Sequence, residues 1–307
     1  MAAVQRLADE LDELIDPAVE VERLASGFTF TEGPIWDPRG GGHLLFSDIP
    51  ENLRRRWAPG EGASIAHRPT NKSNGMTLDA AGRLVICEHA TSRVVRERPD
   101  GTQEVVASHY QGRELNSPND VIVAPDGSIY FTDPTYGRHD GPVGHRRELQ
   151  LSFRGVYRVA PGEIGNPHLV VAEDEFEMPN GLCLSPDGRT LYVDDTSRGE
   201  VKAFTVADDG SLRDGRLFAS EVGPHPTGSP DGMKCDERGD VWVTGPGGVW
   251  IFDVAGRHLG TLLVPEKAAN LNWGGADWRE LYLTAQTSLY RVVTKVSGAR
   301  ASYMQLR

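Results

Sequence analysis

The sequence predicts an all-β fold, a six-bladed β-propeller of four-stranded blades with a short N-terminal helix. Three observations support this prediction: a turn-and-strand pattern recurs six times, helical periodicity is nearly absent after residue 16, and the composition is that of a globular protein. Apolar residues make up 38% of the 307 residues and 35 more are glycines, which excludes disorder and collagen-like structure. Because one blade cannot bury both of its faces alone, the six blades must close into a ring.

Each repeat begins with a polar tetrapeptide, usually ending in glycine, and continues as a short β-branched or aromatic run. This pattern is typical of a tight turn between two strands. The six copies begin at Asp37, Asp79, Ala124, Ser185, Asp236 and Asp277. Further strand pairs with their own turns lie between the copies, starting for example at Val94, Val156 and Val249. Each repeat therefore has about four strands.

Residues 1–17 are predicted to form an N-terminal helical extension. Leu7, Leu11 and Leu14 have the spacing of an amphipathic helix, and Pro17 follows at its end. Residues 18–307 show no linker or break in composition, so we expect them to form a single propeller domain. The alternating residues 19–22 are predicted to form an outer strand beside residues 289–296, which would join the first blade to the last.

Charge and cysteine content restrict the partners of the protein. The sequence has 32 Lys and Arg against 44 Asp and Glu, and the net charge of −12 disfavours nucleic acid and suits a cation. No segment is apolar enough to predict a membrane span, and the N-terminus lacks a signal-peptide pattern. Cys87, Cys183 and Cys235 have no CxxC spacing and are predicted to be small buried residues. We expect a cytoplasmic monomer or homodimer.

One polar residue lies eight positions before the last residue of each turn, in similar contexts such as EGPIW, NGMTL and NGLCL. The residues selected in this way are Glu32, Asn74, Asn119, Asn180, Asp231 and Asn272. Because the offset is the same in all six repeats, we expect these side chains to lie at similar depth at one end of the central channel. The alternative is that Asn and Asp are simply residues that turns favour at strand entries.

The composition of this ring indicates a metal site. Two carboxylates and four amides are hard oxygen donors, without imidazole or thiolate. Such a set suits one divalent ion, Ca²⁺ before Mg²⁺ or Mn²⁺, and does not favour Zn²⁺ over them. Without a cation, two ionised carboxylates that face each other in a channel would repel each other and destabilise the fold.

Two further residues are candidate substrate contacts. His89 ends the strand LVICEH and could reach the channel mouth. Tyr136 lies on the long insertion between Asp133 and Phe153, which could form a lid, since loops of this length are often functional. His225, in the loop before Asp231, could also line the mouth. The alternative for each is an ordinary loop or surface residue.

These motifs resemble the senescence marker protein / gluconolactonase / luciferin-regenerating enzyme family, and most closely its bacterial gluconolactonases. The resemblance extends from about residue 20 to residue 295. The motifs, in order, are EGPIW at Glu32, NSPNDV at Asn116, TDPTYG at Thr132, PNGL at Pro179 and PDGM at Pro230. The resemblance implies a six-bladed propeller with a divalent metal, commonly calcium, in the central channel, and lactonase activity.

Matched motif by motif, the resemblance also implies site residues. The implied metal ligands are Glu32, Asn119, Asn180 and Asp231, of which Asn119 either binds the metal or contacts substrate and water. Animal members of the family carry an arginine where this chain has Ser117, so substrate recognition through that arginine does not transfer. Arg113 is a candidate substitute.

The predicted function is metal-dependent hydrolysis of a sugar lactone. The ion would polarise the lactone carbonyl, and Asp231 would be the catalytic base that activates water. The predicted substrate contacts are Asn119, Asn74, Asn272, His89 and Tyr136. Two alternatives stay open: a calcium-dependent esterase or phosphotriesterase of the same fold, and a non-catalytic propeller that binds a ligand or a protein.

Overall fold

The first strand of each sheet packs against the first strand of the next sheet, and the sixth packs against the first. The sheets therefore form a closed ring around a central channel, and the predicted six-bladed propeller is confirmed. The structure is a computed structural model that describes residues 3–98 and 100–306.

Every blade is an antiparallel sheet, and its strands follow one another outward from the channel in chain order, except where N-terminal strands are added to the fifth and sixth blades. The innermost strands are Thr31–Asp37, Ser73–Leu78, Val121–Val123, Pro179–Leu184, Met233–Cys235 and Ala268–Gly274. The second strands are His43–Asp48, Leu84–Glu88, Ile129–Asp133, Thr190–Asp195, Val241–Gly245 and Glu280–Ala285. The third strands are Leu53–Ala58, Arg93–Glu97, Gly155–Val159, Glu200–Val206, Gly248–Phe252 and Ser288–Val293. The outermost strands of the first five blades are Gly62–His67, Gln103–Ala107, His168–Leu169, Leu212–Ala219 and His258–Leu263.

The sixth blade takes its outermost strand from the N-terminal part of the chain. Glu22–Ser26 pairs with Ser288–Val293, so the two ends of the chain close the ring together. This strand begins at Glu22, where the predicted outer strand ends. The shift has a physical reason, because Val19 and Val21 pack their side chains against the apolar cluster of the fifth and sixth blades.

The N-terminal extension is a strand followed by a short helix. Val4–Arg6 pairs with His258–Leu263 as a fifth strand of the fifth blade, and a 3-10 helix covers Asp9–Glu13. Leu11 and Leu14 are buried as expected, but Leu7 is 59% exposed. The helix begins later than predicted because the N–H groups of Leu7 and Ala8 still donate to the Leu259 carbonyl. Residues 1 and 2 of the predicted extension lie outside the described residues.

The remaining elements are short. A two-stranded hairpin joins His109–Tyr110 to Arg113–Glu114. The other 3-10 helices are Arg39–Gly41, Tyr136–Arg138 and Ser302–Gln305. Within residues 3–98 and 100–306, no helix has the length and apolar character needed to cross a membrane.

Apolar clusters between neighbouring blades hold the ring together. Between the second and third blades, Val94 and Cys87 pack against Phe131 and Tyr157, and all four are fully buried. Full burial of a side chain of this size contributes roughly 1.5–3 kcal/mol relative to its exposure. The three cysteines are buried and unpaired by disulfides, as predicted.

The innermost strands approach one another most closely at glycines that follow ring residues. These glycines are Gly33, Gly75, Gly181 and Gly232. A Cβ atom at Gly181 would lie 2.0 Å from the carbonyl oxygen of Asp231 in the next blade, and one at Gly33 would lie 2.1 Å from the carbonyl oxygen of Asn74. The glycines therefore let adjacent blades bring their polar side chains to the channel axis.

Replacing Gly181 with alanine should destabilise the fold, because the added methyl would collide with backbone that cannot rotate away. We expect the free energy of unfolding to fall by about 3 kcal/mol, the upper range for overpacking. Urea denaturation followed by tryptophan fluorescence measures this change. Gly141→Ala is the matched control, since a Cβ there meets no atom within 4 Å. Equal midpoints for the two variants would contradict the close-approach argument.

Candidate functional site

A cavity of about 260 Å³ opens at the end of the channel where the innermost strands begin. It is slightly smaller than the roughly 300 Å³ at which ligand pockets in proteins begin, so it suits only a small molecule. Five predicted ring residues line it, Glu32, Asn74, Asn119, Asn180 and Asp231. The other lining residues are Phe30, Ile49, His89, Tyr136, Val143, Thr196, Ser229 and Lys267.

Irregular strand pairing turns several ring side chains toward the axis. The register of the innermost strand shifts between Glu32 and Ile35 in the first blade and between Pro179 and Leu182 in the fourth. A similar shift follows Ser73 in the second blade. Such bulges bend a strand and redirect its side chains, and they occur preferentially beside functional sites.

Asn270 completes the ring, and Asn272 lies elsewhere. Asn270 Nδ2 donates to Glu32 Oε2 at 2.9 Å. Asn272 is two residues further along the strand, where its Oδ1 accepts from the Trp36 N–H at 3.4 Å. It lines a separate cavity that C-terminal residues, including Tyr303, help to enclose. The structure therefore does not bring Asn272 to the other predicted substrate contacts.

The sixth turn explains the displacement. The last residue of the other turns is a glycine in the left-handed region, for example Gly82 with φ 73°. In the sixth turn this conformation belongs to Trp278, with φ 60°. Counting eight residues back from Trp278 gives Asn270, so the offset holds in all six blades once the correct turn residue is used.

The two ring carboxylates form an electrostatically strained pair. Burial raises the pKa of Glu32 well above its ordinary value, and the charges of Asp231 and Asp120 raise it further. Burial also raises the pKa of Asp231 to about 7, although the positive charge of Lys267 opposes this effect. Glu32 Oε2 accepts hydrogen bonds from Asn270 and from the Gly33 N–H. The pair is therefore unfavourable when both carboxyl groups are ionised.

Two more buried carboxylates, Asp120 and Asp194, lie near this pair. Burial raises the pKa of Asp120 and raises that of Asp194 still further above its ordinary value. Asp231 adds a repulsive contribution at Asp194. Among the described residues, Asp120 Oδ2 and Asn74 Oδ1 are buried acceptors without a hydrogen-bond partner. Unpaired buried acceptors are unusual in native proteins and are the atoms that a cation or an ordered water would satisfy.

His89 lies in the cavity wall as a neutral side chain. Its Nδ1 lies 3.0 Å from the Val143 carbonyl oxygen, so Nδ1 carries the hydrogen and donates. Its Nε2 then accepts from Asn74 Nδ2 at 3.3 Å. Burial lowers the pKa of His89 to about 4, which keeps the ring uncharged at neutral pH.

The long insertion of the third blade brings Tyr136 to the cavity. Tyr136 begins a 3-10 helix that is fixed by the fully buried Arg138, whose guanidinium bonds to the carbonyl oxygens of Leu115, Asn116 and Glu148. Burial raises the pKa of Tyr136 far above its ordinary value, while a hydrogen bond with Thr196 lowers it. Lys72 Nζ donates to the Pro142 carbonyl at 2.8 Å and ties the same insertion to the second blade.

Several residues lie differently from what the sequence indicated. His225 is exposed, bonds to Thr227, and is not among the residues that line the cavity. Arg113 lies exposed in the short hairpin and also does not line it. Lys267 and Ser229 do line the cavity, although neither was among the predicted site residues. Lys267 precedes Asn270 by three residues. Had Asn270 been recognised as the sixth ring residue, Lys267 could have been predicted to lie near the site.

The donor set of the site consists of carboxylates and amides. Within the part of the chain that the structure describes, no three His, Cys, Asp or Glu side chains form a group that could hold a metal ion by themselves. A metal at this site would therefore need amide oxygens beside the carboxylates of Glu32 and Asp231. The amides of Asn119 and Asn180 line the same cavity.

Comparison with known proteins supports one family. The family described as SMP-30/Gluconolactonase/LRE-like region matches residues 30–287. A gluconolactonase of Zymomonas mobilis subsp. mobilis is 31% identical over 96% of this chain and 87% of its own. The structure of a gluconolactonase of Xanthomonas campestris aligns with a TM-score of 0.86 at 32% identity, covering 95% of this chain and 94% of that one. Regucalcin of Agrobacterium tumefaciens shares the fold, with a TM-score of 0.73 at 20% identity over 92% of this chain and 98% of that one.

Proposed function

Because the chain belongs to the SMP-30/gluconolactonase/LRE-like family, we propose that it is an enzyme that hydrolyses a sugar lactone with the help of one divalent ion. The observation that carries this proposal is the cavity in which Glu32 and Asp231 meet the amides of three other blades. The gluconolactonases among its relatives act, by their names, on the same class of ester. The proposed partner is therefore a small-molecule lactone.

We propose that the ion is held by two carboxylates and two amides. These residues are Glu32, Asp231, Asn119 and Asn180. Their oxygens are hard donors, the type that Ca²⁺ prefers. Burial and neighbouring carboxylates disfavour the ionised forms of Glu32, Asp231, Asp120 and Asp194, which supports a cation at this place. When bound, a divalent ion would polarise the lactone carbonyl and stabilise the developing oxyanion.

Asp231 is the proposed general base. Its carboxylate lies at the inner wall of the cavity, and the Lys267 charge favours its ionised form. A carboxylate in this position accepts a proton from water as the water attacks the carbonyl carbon. His89 is unsuited to this role, because its Nε2 is already engaged by Asn74.

The remaining side chains of the cavity can orient a polyhydroxylated ring. Among the described residues, Asn74 Oδ1 has no hydrogen-bond partner, and Asn74 and Asn119 line the same cavity, so both amides are proposed to bond to sugar hydroxyls. Phe30, Ile49 and Val143 provide apolar surface for the ring carbons. The insertion that carries Tyr136 and Val143 covers one side of the cavity and shields the reaction from bulk water.

Hydrolysis of glucono-1,5-lactone tests the proposed function. Acid release is followed at constant pH with Ca²⁺ present, and the spontaneous rate is subtracted because this lactone also opens without enzyme. We expect turnover well above background for the sugar lactone and little for a phosphotriester. Equal rates for both substrates, or a rate equal to background for the lactone, would overturn the proposal.

Asn270 and Asn272 form a matched pair of variants that tests the ring. Asn270→Ala removes the hydrogen bond to Glu32 Oε2, so we expect a loss of about 10- to 100-fold in turnover or in Ca²⁺ affinity, as for residues that orient metal ligands. Asn272→Ala should stay within about threefold of wild type, because Asn272 lines another cavity. Steady-state kinetics and calorimetric titration with Ca²⁺ measure both effects. A larger loss of turnover or Ca²⁺ affinity in Asn272→Ala than in Asn270→Ala would indicate that Asn272, and not Asn270, belongs to the site.

A further inference from the structure

We propose that Lys267 is a further catalytic residue, the acid that protonates the leaving ring oxygen when the lactone opens. This assignment rests on the proposed lactone hydrolysis. It concerns the step in which the tetrahedral intermediate collapses and the ring opens. The roles proposed above for the ring residues do not include a proton donor for this step.

The reaction needs such a donor because the leaving group is an alkoxide. Attack of water on the carbonyl carbon gives a tetrahedral intermediate, and its collapse breaks the bond between that carbon and the ring oxygen. An aliphatic alcohol is about as weak an acid as water, so its free alkoxide is a poor leaving group. Proton transfer from a positioned side chain accelerates such steps by about 10²- to 10⁴-fold.

Several other polar groups of the cavity are poor proton donors. His89 is neutral, and its one N–H already bonds to the Val143 carbonyl. The hydroxyl of Tyr136 is held by burial far above the ordinary pKa of a phenol. Thr196 Oγ1 donates its hydrogen to the Pro230 carbonyl at 2.8 Å. Asn74 and Asn119 carry amides, which are not acids at neutral pH.

Lys267 has the position and the freedom that the role requires. It lines the same cavity as Asp231, and its positive charge acts on that carboxylate, so both groups border the space that a lactone would occupy. The backbone beside it is fixed, because Glu266 accepts hydrogen bonds from Thr287 and from Tyr290. Within the described residues, the ammonium group of Lys267 has neither a hydrogen-bond partner nor an ion-pair partner in the protein. Its three N–H groups are therefore free to bond to a substrate.

The proton balance of the step is complete. Asp231 takes a proton from the attacking water, and Lys267 Nζ gives a proton to the ring oxygen as the carbon–oxygen bond breaks. The electron pair of that bond becomes a lone pair of the new hydroxyl, and the carbonyl reforms as the carboxyl group of the product. Lys267 is exposed, so solvent returns its proton, and the protons held by Asp231 and by the carboxyl group of the product then pass to solvent.

Leaving-group dependence tests the assignment. Lys267→Met, Lys267→Arg and wild type are compared on glucono-1,5-lactone and on dihydrocoumarin, whose phenol leaving group has a pKa of about 10, like tyrosine, and needs little protonation. We expect Lys267→Met to lower kcat about 10²- to 10³-fold for the sugar lactone and less than about threefold for dihydrocoumarin. Lys267→Arg keeps the charge beside Asp231 but is a much weaker acid, so it should still lose at least about tenfold on the sugar lactone.

The control variant is Lys295→Met, since Lys295 Nζ donates to the Asp12 carbonyl at 2.7 Å and does not line the cavity. It should match wild type on both lactones. Equal losses on both lactones for Lys267→Met, or full activity of Lys267→Arg, would overturn the assignment, because Lys267 would then act only through charge or binding. If wild type hydrolyses neither lactone, the proposed function fails, and the role of Lys267 fails with it.

Discussion

Replacing Asp231 with asparagine should lower kcat for lactone hydrolysis by about 10²- to 10⁴-fold, the range for removal of a general base. The amide has nearly the shape of the carboxylate and keeps an oxygen that can face a cation, but it cannot accept a proton from water. Initial rates at saturating lactone and saturating Ca²⁺ separate this loss from weaker metal binding. Calorimetric titration of the same sample shows whether the variant is metal-loaded.

The fold of this variant should not be weaker than that of wild type in the absence of metal. The substitution removes one negative charge from a buried group that also includes Glu32, Asp120 and Asp194, whose mutual repulsion opposes folding. We therefore expect the free energy of unfolding, measured by urea denaturation in chelator, to be unchanged or higher. Asp126→Asn, in an exposed turn, is the control for activity. Near-normal turnover of a folded, metal-loaded Asp231→Asn protein would remove Asp231 from the role of base.

The parts of the fold that were predictable are those that depend on local sequence, such as turn conformation and strand length. Each turn must place a residue in the left-handed region, and glycine marks that position in five of the six turns, for example at Gly82 and Gly188. Strand length then fixes the distance from that glycine back to the channel, so a constant offset identified Glu32 and Asn180 correctly as neighbours across the ring. The closing strand was predictable from the alternating pattern of residues 19–22, although it begins a few residues late, at Glu22.

The parts that were not predictable depend on tertiary contacts. Trp278 adopts the left-handed conformation that glycine has in the other turns, and nothing in its identity indicates this. The offset of eight residues was therefore counted from Glu280, which gave Asn272 instead of Asn270. Asp120 occupies the place of the glycine that follows other ring residues, and its burial arises from the approach of Gly75 in the neighbouring blade. Lys267 lies outside every motif, and its relevance appears only when the sixth innermost strand is placed beside Asp231.

Removal of the metal should abolish most activity, and Ca²⁺ should restore it better than Mg²⁺, Mn²⁺ or Zn²⁺. The donor oxygens come from four blades, and the excess buried charge at Glu32 and Asp231 leaves the empty site electrostatically unfavourable. We expect a chelator to lower the rate of lactone hydrolysis by more than about 10²-fold. The ion should also stabilise the fold, by about 2.7 kcal/mol when its free concentration is 100 times Kd.

Glu32→Gln links the two effects of the ion, because it removes one of the two charges that hold the cation while keeping an oxygen donor. In this variant, Ca²⁺ should stabilise the fold by less than about 1 kcal/mol at the concentration that gives wild type its full shift, and lactone hydrolysis should fall at least tenfold. Glu61→Gln, at a surface ion pair with Arg56, should respond to Ca²⁺ like wild type. A wild-type protein that keeps its rate and its unfolding midpoint in chelator would contradict a metal in the channel. An equal Ca²⁺ response in Glu32→Gln would instead place the ion away from Glu32, because the charge of this carboxylate would then contribute nothing to its binding.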